Sequence, residues 1–341
     1  MNPWEALPGE RTMDGGLGSA GELDLLALLP CPLKVPVEEA LRAFLARRIA
    51  AGKRPFEFCI AGQANHEADL HALAQERDPR RLPALIVSPG LNVLFRQPFF
   101  DRFVRGGVFD SLAPRAADVG LAARGLLDPA GRCTVLALNL LVLAVDERAL
   151  GVRRVPRRLA DLLAPEYEDS IAIRGSRGDS FCETLLLSVW RRFGDAGIEL
   201  LSRATRHGWH PSQMVKAAGS GRPDAPAVSI LPLFFAETVR RRSGVRVVWP
   251  EDGAVVSPVT LLARADRLED VRSLLGFLRG IEVARICSGA AFPALHAGVP
   301  PPPRAEAPLD WLGWDFVDAH EIGALVERLN GVFVRARARM P

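Results

Sequence analysis

Short apolar runs alternate along this chain with longer stretches in which apolar positions recur every three or four residues. Leu25–Leu29 is a continuous apolar run of strand length. The stretch 37–48 that follows puts Val37, Leu41, Phe44 and Leu45 on one helical stripe, with Glu38 and Glu39 in the first turn, where the helix dipole favours anions. Residues 56–61 predict a second strand, a polar helix through His66 and His71 comes next, and 84–88 predict a third strand. Strands alternating with helices predict an α/β protein, with a parallel sheet covered by helices on both faces. Residues 1–24 are Gly-rich and aperiodic and predict a loose, flexible N-terminal tail.

The stretch 133–145 is apolar with β-branched content and long enough for two strand pieces joined by a bend at Asn139. The strand-helix rhythm then restarts: strand 170–173, helix 180–193, helix 197–207, strand 227–231, helix 233–242. A second extended pair, 245–248 and 255–263, is broken by the turn sequence Pro250-Glu251-Asp252-Gly253. A helix over 267–278, a rigid proline run at 300–303 and a closing amphipathic helix over 318–335 complete the pattern. The two extended segments bracket the second α/β unit like connections between lobes. Residues 25–138 plus 255–341 are therefore expected to form a discontinuous first lobe, with 139–254 inserted as the second.

Composition narrows what such a molecule does. At 341 residues, 48% hydrophobic and 24% charged, the chain is of globular type with room for two domains. Lys and Arg exceed Asp and Glu by 43 to 40, too little for the broad positive field of a nucleic-acid binder. The longest apolar run, 134–145, contains Asn139 and stops at Asp146, so no membrane span is expected. The first 24 residues hold five acids where a secretion signal has a cationic end and an apolar core; the encoded chain is expected in the cytoplasm, or in the periplasm if the true start lies upstream. Five cysteines without a CxxC pair signal neither a disulfide framework nor a zinc finger.

Four short motifs carry a resemblance. Leu159-Ala160-Asp161-Leu162-Leu163-Ala164-Pro165-Glu166-Tyr167 is similar to the pattern W-x-D-L-x-x-P-x-Y/W, and Trp249-Pro250-Glu251-Asp252-Gly253 to x-P-x-D-G. Phe277-Leu278 sits where an F-x-x-F-L helix is expected, and Ser288-Gly289 with Phe292-Pro293 looks like G-x-x-P. In order and spacing, over 25–335, they resemble the type II periplasmic-binding-protein family, in particular the solute-binding proteins of ABC importers for ferric iron, thiamine and polyamines. The resemblance implies a two-lobed fold, each lobe a mostly parallel sheet flanked by helices, with two interlobe crossover segments and a hinge that closes over a small ligand. It also implies an ABC permease as partner and an anionic small molecule, a metal or a metal complex as ligand. Ferric-binding members commonly use adjacent tyrosines, whereas Tyr167 is the single tyrosine here, which excludes that mode of iron capture. A cytoplasmic enzyme or accessory protein that handles a metal or cofactor and reuses the fold is the alternative.

In such a fold ligands meet the carboxyl ends of strands and the amino ends of the helices that follow. Three segments fit. Cys31, between Pro30 and Pro32 with Lys34 nearby, is either a thiol activated on a stiff turn or an incidental thiol in that turn. In Arg174-Gly175-Ser176-Arg177-Gly178-Asp179-Ser180-Phe181-Cys182, the glycines permit close backbone approach, Ser176 and Ser180 offer hydroxyls, Asp179 or Ser180 can cap the next helix, and Arg177 supplies a planar cation. This is an anion cradle, or a capped loop with a surface Arg. In Ser88-Pro89-Gly90-Leu91-Asn92, residues Ser88, Gly90 and Asn92 face a ligand or form an ordinary turn. Asn139, at the first crossover, is a further ligand candidate. Cys31 and Cys182 together form a soft-metal candidate. His207 and His210 read as surface residues at a helix end. No GxSxG, HExxH, phosphate loop or paired-carboxylate spacing occurs, so no catalytic residue or cofactor is assigned, and binding without chemistry is expected.

Overall fold

The computed structural model describes residues 7–11, 20–62, 67–91, 93–110, 124–176, 180–299 and 307–339. In chain order the strands are β1 (Leu25–Leu29), β2 (Phe58–Gly62), β3 (Leu85–Pro89), β4 (Thr134–Asp146), β5 (Ile171–Ser176), β6 (Ser180–Phe181), β7 (Thr205–Trp209), β8 (Val228–Pro232), β9 (Val245–Val248), β10 (Ala254–Ala263) and β11 (Leu309–Asp310). The α-helices are α1 (Cys31–Ala50), α2 (Glu67–Ala74), α3 (Glu147–Leu150), α4 (Glu183–Ala204), α5 (Pro211–Ala217), α6 (Leu233–Val239), α7 (Leu268–Leu278), α8 (Ile281–Gly289), α9 (Trp314–Ala319) and α10 (Ile322–Arg337). The chain divides into two units, Met1–Leu138 with Pro258–Pro302 and Asn139–Ser257 with Pro303–Pro341. It passes between them inside β4 and inside β10.

In the first unit β1 is central, parallel to β2 on one side and to β3 on the other, and the second half of β10 runs antiparallel to β3. All five residues of β1 are buried, which is why its sequence is an unbroken apolar run rather than an alternation. Helix α1 turns Leu33, Val37, Leu41 and Leu45 inward. At the edge of the sheet Asp24 is buried and ionic, and it accepts from both Arg54 and Arg267.

In the second unit β8 lies between antiparallel β4 and parallel β5; β7 extends the sheet parallel to β5, and β9 pairs antiparallel with the other edge of β4. β5 and β6 form a hairpin with Gly175 opposite Phe181 and Ser176 opposite Ser180. The C-terminal helix α10 packs along α4, and Ser202 Oγ donates to the Phe333 carbonyl at 2.7 Å.

Several expectations change. Residues 303–341 belong to the second unit and not to the first, because α10 buries Leu325, Leu329 and Phe333 beside α4 while Asp310 accepts from Ser188 and Arg191. β4 runs as one strand straight through Asn139. Helix α1 begins at Cys31, so that residue opens a helix and does not sit on a turn; Pro32 in the first turn lacks only an N–H that has no helical partner there. The break expected near residue 194 is a kink at Gly194, with φ 63°, inside α4. The helix expected to run to His207 stops at Ala204, and the next five residues form β7, four of them in register with β5 and Arg206 in a bulge. The closing helix is two helices, because the Glu321 carboxylate caps a new start by accepting from the Gly323 and Ala324 amides.

Candidate functional site

In the first unit the carboxyl ends of β1, β2 and β3 share one edge because the three strands are parallel. Cys31 emerges there exposed, in the first turn of α1. Gly90 follows β3 with φ 76°, a left-handed backbone that favours glycine, and its N–H is already donated to the Pro258 carbonyl at 2.7 Å. Ser88 is buried, and its carbonyl accepts from Thr260 Oγ1 at 3.1 Å. The Ser88 carbonyl and the Gly90 N–H thus join β3 to β10. Asn92 lies outside the described residues. A small cavity beneath this edge, bounded by Leu29, Leu33, Ile60, Leu136, Leu278 and Cys287, has no polar lining apart from that thiol. Burial pushes the Cys287 thiol up to about 12, so it stays protonated and acts as an apolar filler.

The second unit has the richer edge. β5, β7 and β8 are parallel and end together, and β4, antiparallel to β8, enters the second unit at the same edge with half-exposed Asn139. Arg174 near the end of β5 is the register partner of Trp209 at the end of β7. Its side chain is 40% exposed, and Arg174 Nη2 donates to Glu183 Oε2, in the first turn of α4, at 2.7 Å. The Trp209 indole stacks on the His207 ring at 3.8 Å and 8°, and His207 Nε2 is 2.8 Å from the Asp224 carbonyl. His210 caps α5: its Nδ1 accepts the Ser212 N–H at 3.2 Å and lies 2.8 Å from Ser212 Oγ. Partial burial, and then the Arg174 cation, pull the His210 imidazole below its ordinary value.

Gly175 is needed here for strand packing. A Cβ on it would stand 2.9 Å from the Gly208 Cα and 3.3 Å from the Phe181 ring, so its bare backbone packs against β7 and the Phe181 ring. The hairpin is held from behind, where Asn330 Oδ1 accepts the Phe181 N–H at 3.0 Å and the Phe181 ring meets Phe333 at 4.2 Å between centroids. Neither Asp179 nor Ser180 is the cap of α4; Cys182 holds that position without a side-chain cap bond. The Cys182 thiol is buried, and burial raises its pKa. Arg177 lies outside the described residues, and Ser176 and Ser180 are described by backbone alone. Among the described residues no three His, Cys, Asp or Glu side chains gather to hold a metal ion. Sequence reasoning missed Arg174, Trp209 and His210 as a group. Its signal was the extended alternation Thr205-Arg206-His207-Gly208-Trp209, whose first three residues fall in the helix expected over 197–207.

Two of the motifs that carried the resemblance serve as scaffold. Asp252 of the turn accepts the Leu159 N–H at 2.8 Å and the Ala160 N–H at 3.2 Å, which brings two of the motifs into contact. Tyr167 is buried, and its hydroxyl donates to the Arg154 carbonyl at 2.6 Å.

The class these features define is a binding protein of the periplasmic type. The chain belongs to the bacterial extracellular solute-binding protein family, whose model matches residues 80–320. Among solved structures it is similar to a Bordetella ferric binding protein, at 13% identity and TM-score 0.61 over 92% of this chain and 98% of that one. It is similar also to the Trichodesmium protein IdiA, or FutA, in complex with iron and citrate, at 14% identity and TM-score 0.63 over 92% and 98%. A third is the periplasmic binding protein AfuA of Actinobacillus pleuropneumoniae with fructose 6-phosphate bound, at 14% identity and TM-score 0.61 over 94% and 99%. These likenesses establish the fold. No curated protein matches the sequence.

Proposed function

We propose that the chain binds a small solute through a carboxylate or phosphate group, with Arg174 as the principal cation of the second unit. One observation carries this reading: a partly exposed guanidinium stands at the carboxyl end of β5, in register with Trp209, at an edge where strand ends and helix starts favour anions. Two of the similar structures are described with citrate and with fructose 6-phosphate, both bearers of oxyanions, which supports the same chemistry. A metal arriving as an anionic complex would be held through its carboxylates, because Tyr167, the one tyrosine, is committed to a backbone carbonyl. Ser176, Arg177 and Ser180, close to Arg174 in the sequence, add to the site on this reading. The chain works by binding, without covalent chemistry, and hands its solute to an ABC-type permease.

The test is calorimetric titration of the full chain with citrate, inorganic phosphate and fructose 6-phosphate, beside Arg174→Ala. A charge-assisted hydrogen bond contributes about 1.5–3 kcal/mol, so the variant is expected to bind at least about tenfold more weakly. Equal affinity in Arg174→Ala, with its fold intact, would remove Arg174 from the site.

A further inference from the structure

The cation on which the solute reading rests is already answered by a carboxylate of the same chain. Glu183 stands across the base of the β5–β6 hairpin from Arg174, and the pair closes at 2.7 Å with both side chains reaching solvent, 40% for Arg174 and 25% for Glu183. Two other acids of this unit are tied down by several donors. Asp252 accepts two backbone N–H groups and Arg192, and Asp310 accepts from Ser188 and Arg191. The hydrogen-bond partner of the Glu183 carboxylate among the described residues is Arg174. A glutamate carboxylate offers a guanidinium the same pair of oxygens that a solute carboxylate or phosphate offers.

We propose that Glu183 is a built-in competitor: it occupies Arg174 in the empty protein, and an oxyanion solute binds by displacing it. The proposal rests on the reading of Arg174 as the solute's cation. Displacement is tolerable because Glu183 is partly in water and lies in the first turn of α4, where the helix dipole favours a negative charge, so no buried charge is left unpaired. It also makes the site selective. Anions that meet the guanidinium more weakly than a carboxylate leave Glu183 in place, whereas citrate or a phosphate, with more charge and more oxygens, replaces it.

Titration of the full chain with citrate and with inorganic phosphate tests this on three variants, each checked for an intact fold by thermal melting. Glu183→Gln, which removes the competing charge, is expected to bind both probes about tenfold more tightly. Glu183→Asp keeps the charge but shortens the arm by one methylene, so it separates occupancy of the guanidinium from a mere negative field, and it too is expected to bind more tightly than the natural chain. Tighter binding by Glu183→Gln with natural affinity in Glu183→Asp would mean that Glu183 acts through its field alone, and would overturn the proposal. Weaker or unchanged binding in both would overturn it as well, making Glu183 a support that orients Arg174. Undiminished binding by Arg174→Ala is the separate result that sinks the Arg174 reading itself.

Discussion

His210 shows how one residue joins local folding to the candidate site. Its Nδ1 accepts the Ser212 N–H at the start of α5, which requires that nitrogen to be unprotonated. Partial burial and the nearby Arg174 cation act in the same direction and lower its pKa from 6.5. The unfolded chain therefore takes up this proton first. Above about 6.5 the group leaves stability unchanged, and as the pH falls through 6.5 to the lowered native value the folded state loses stability. Urea unfolding midpoints measured against pH are expected to drop over that window in the natural chain and to drop less in His210→Asn, which keeps a capping side chain without the titration. An identical pH profile for the two would show that His210 does not titrate as described. At this scale the sequence was only partly legible. Tyr167 and Asp252 drew attention through a family pattern, yet their hydroxyl and carboxylate go to backbone groups. The partners of the Ser88 carbonyl and the Gly90 N–H, Thr260 and Pro258, lie far along the chain on β10, beyond the reach of local pattern.

Among the elements, those whose apolar pattern matches their burial were readable. β1 coincides with its apolar run, and the stripe of α1 was visible from Val37 to Leu45. Elements fixed by distant pairing were not. β7 is amphipathic and short and becomes a strand through its parallel partner β5, and the first turn of α1 was hidden by prolines that a helix start accepts. The turn before β10 is a case in which two elements depend on one side chain. Asp252 serves the amides of Leu159 and Ala160 and the guanidinium of Arg192, and its own side chain is 10% exposed. Asp252→Ala leaves those donors unanswered and is expected to destabilise the second unit by about 2–3 kcal/mol. Hydrogen exchange at Leu159 and Ala160 should quicken at the same time. Unchanged exchange at both amides would show that the carboxylate does not hold that segment.

For the molecule as a whole, the sequence disclosed the α/β class and the family, because four spaced motifs and the strand-helix rhythm extend over most of its length. Assignment of the C-terminal segment failed. Nothing in the amphipathic pattern of α10 states which sheet its apolar face will cover, and in the structure that face lies beside α4 of the second unit. On the reading proposed above, this member of the bacterial extracellular solute-binding protein family takes a solute by its oxyanion. Calorimetric titration of the natural chain with fructose 6-phosphate, citrate and inorganic phosphate, beside fructose as the matched neutral compound, tests it most directly. Saturable binding of at least one of the anions and none of fructose is expected; fructose binding as tightly as its phosphate, or no binding by any of the three anions, would rule out recognition through the oxyanion.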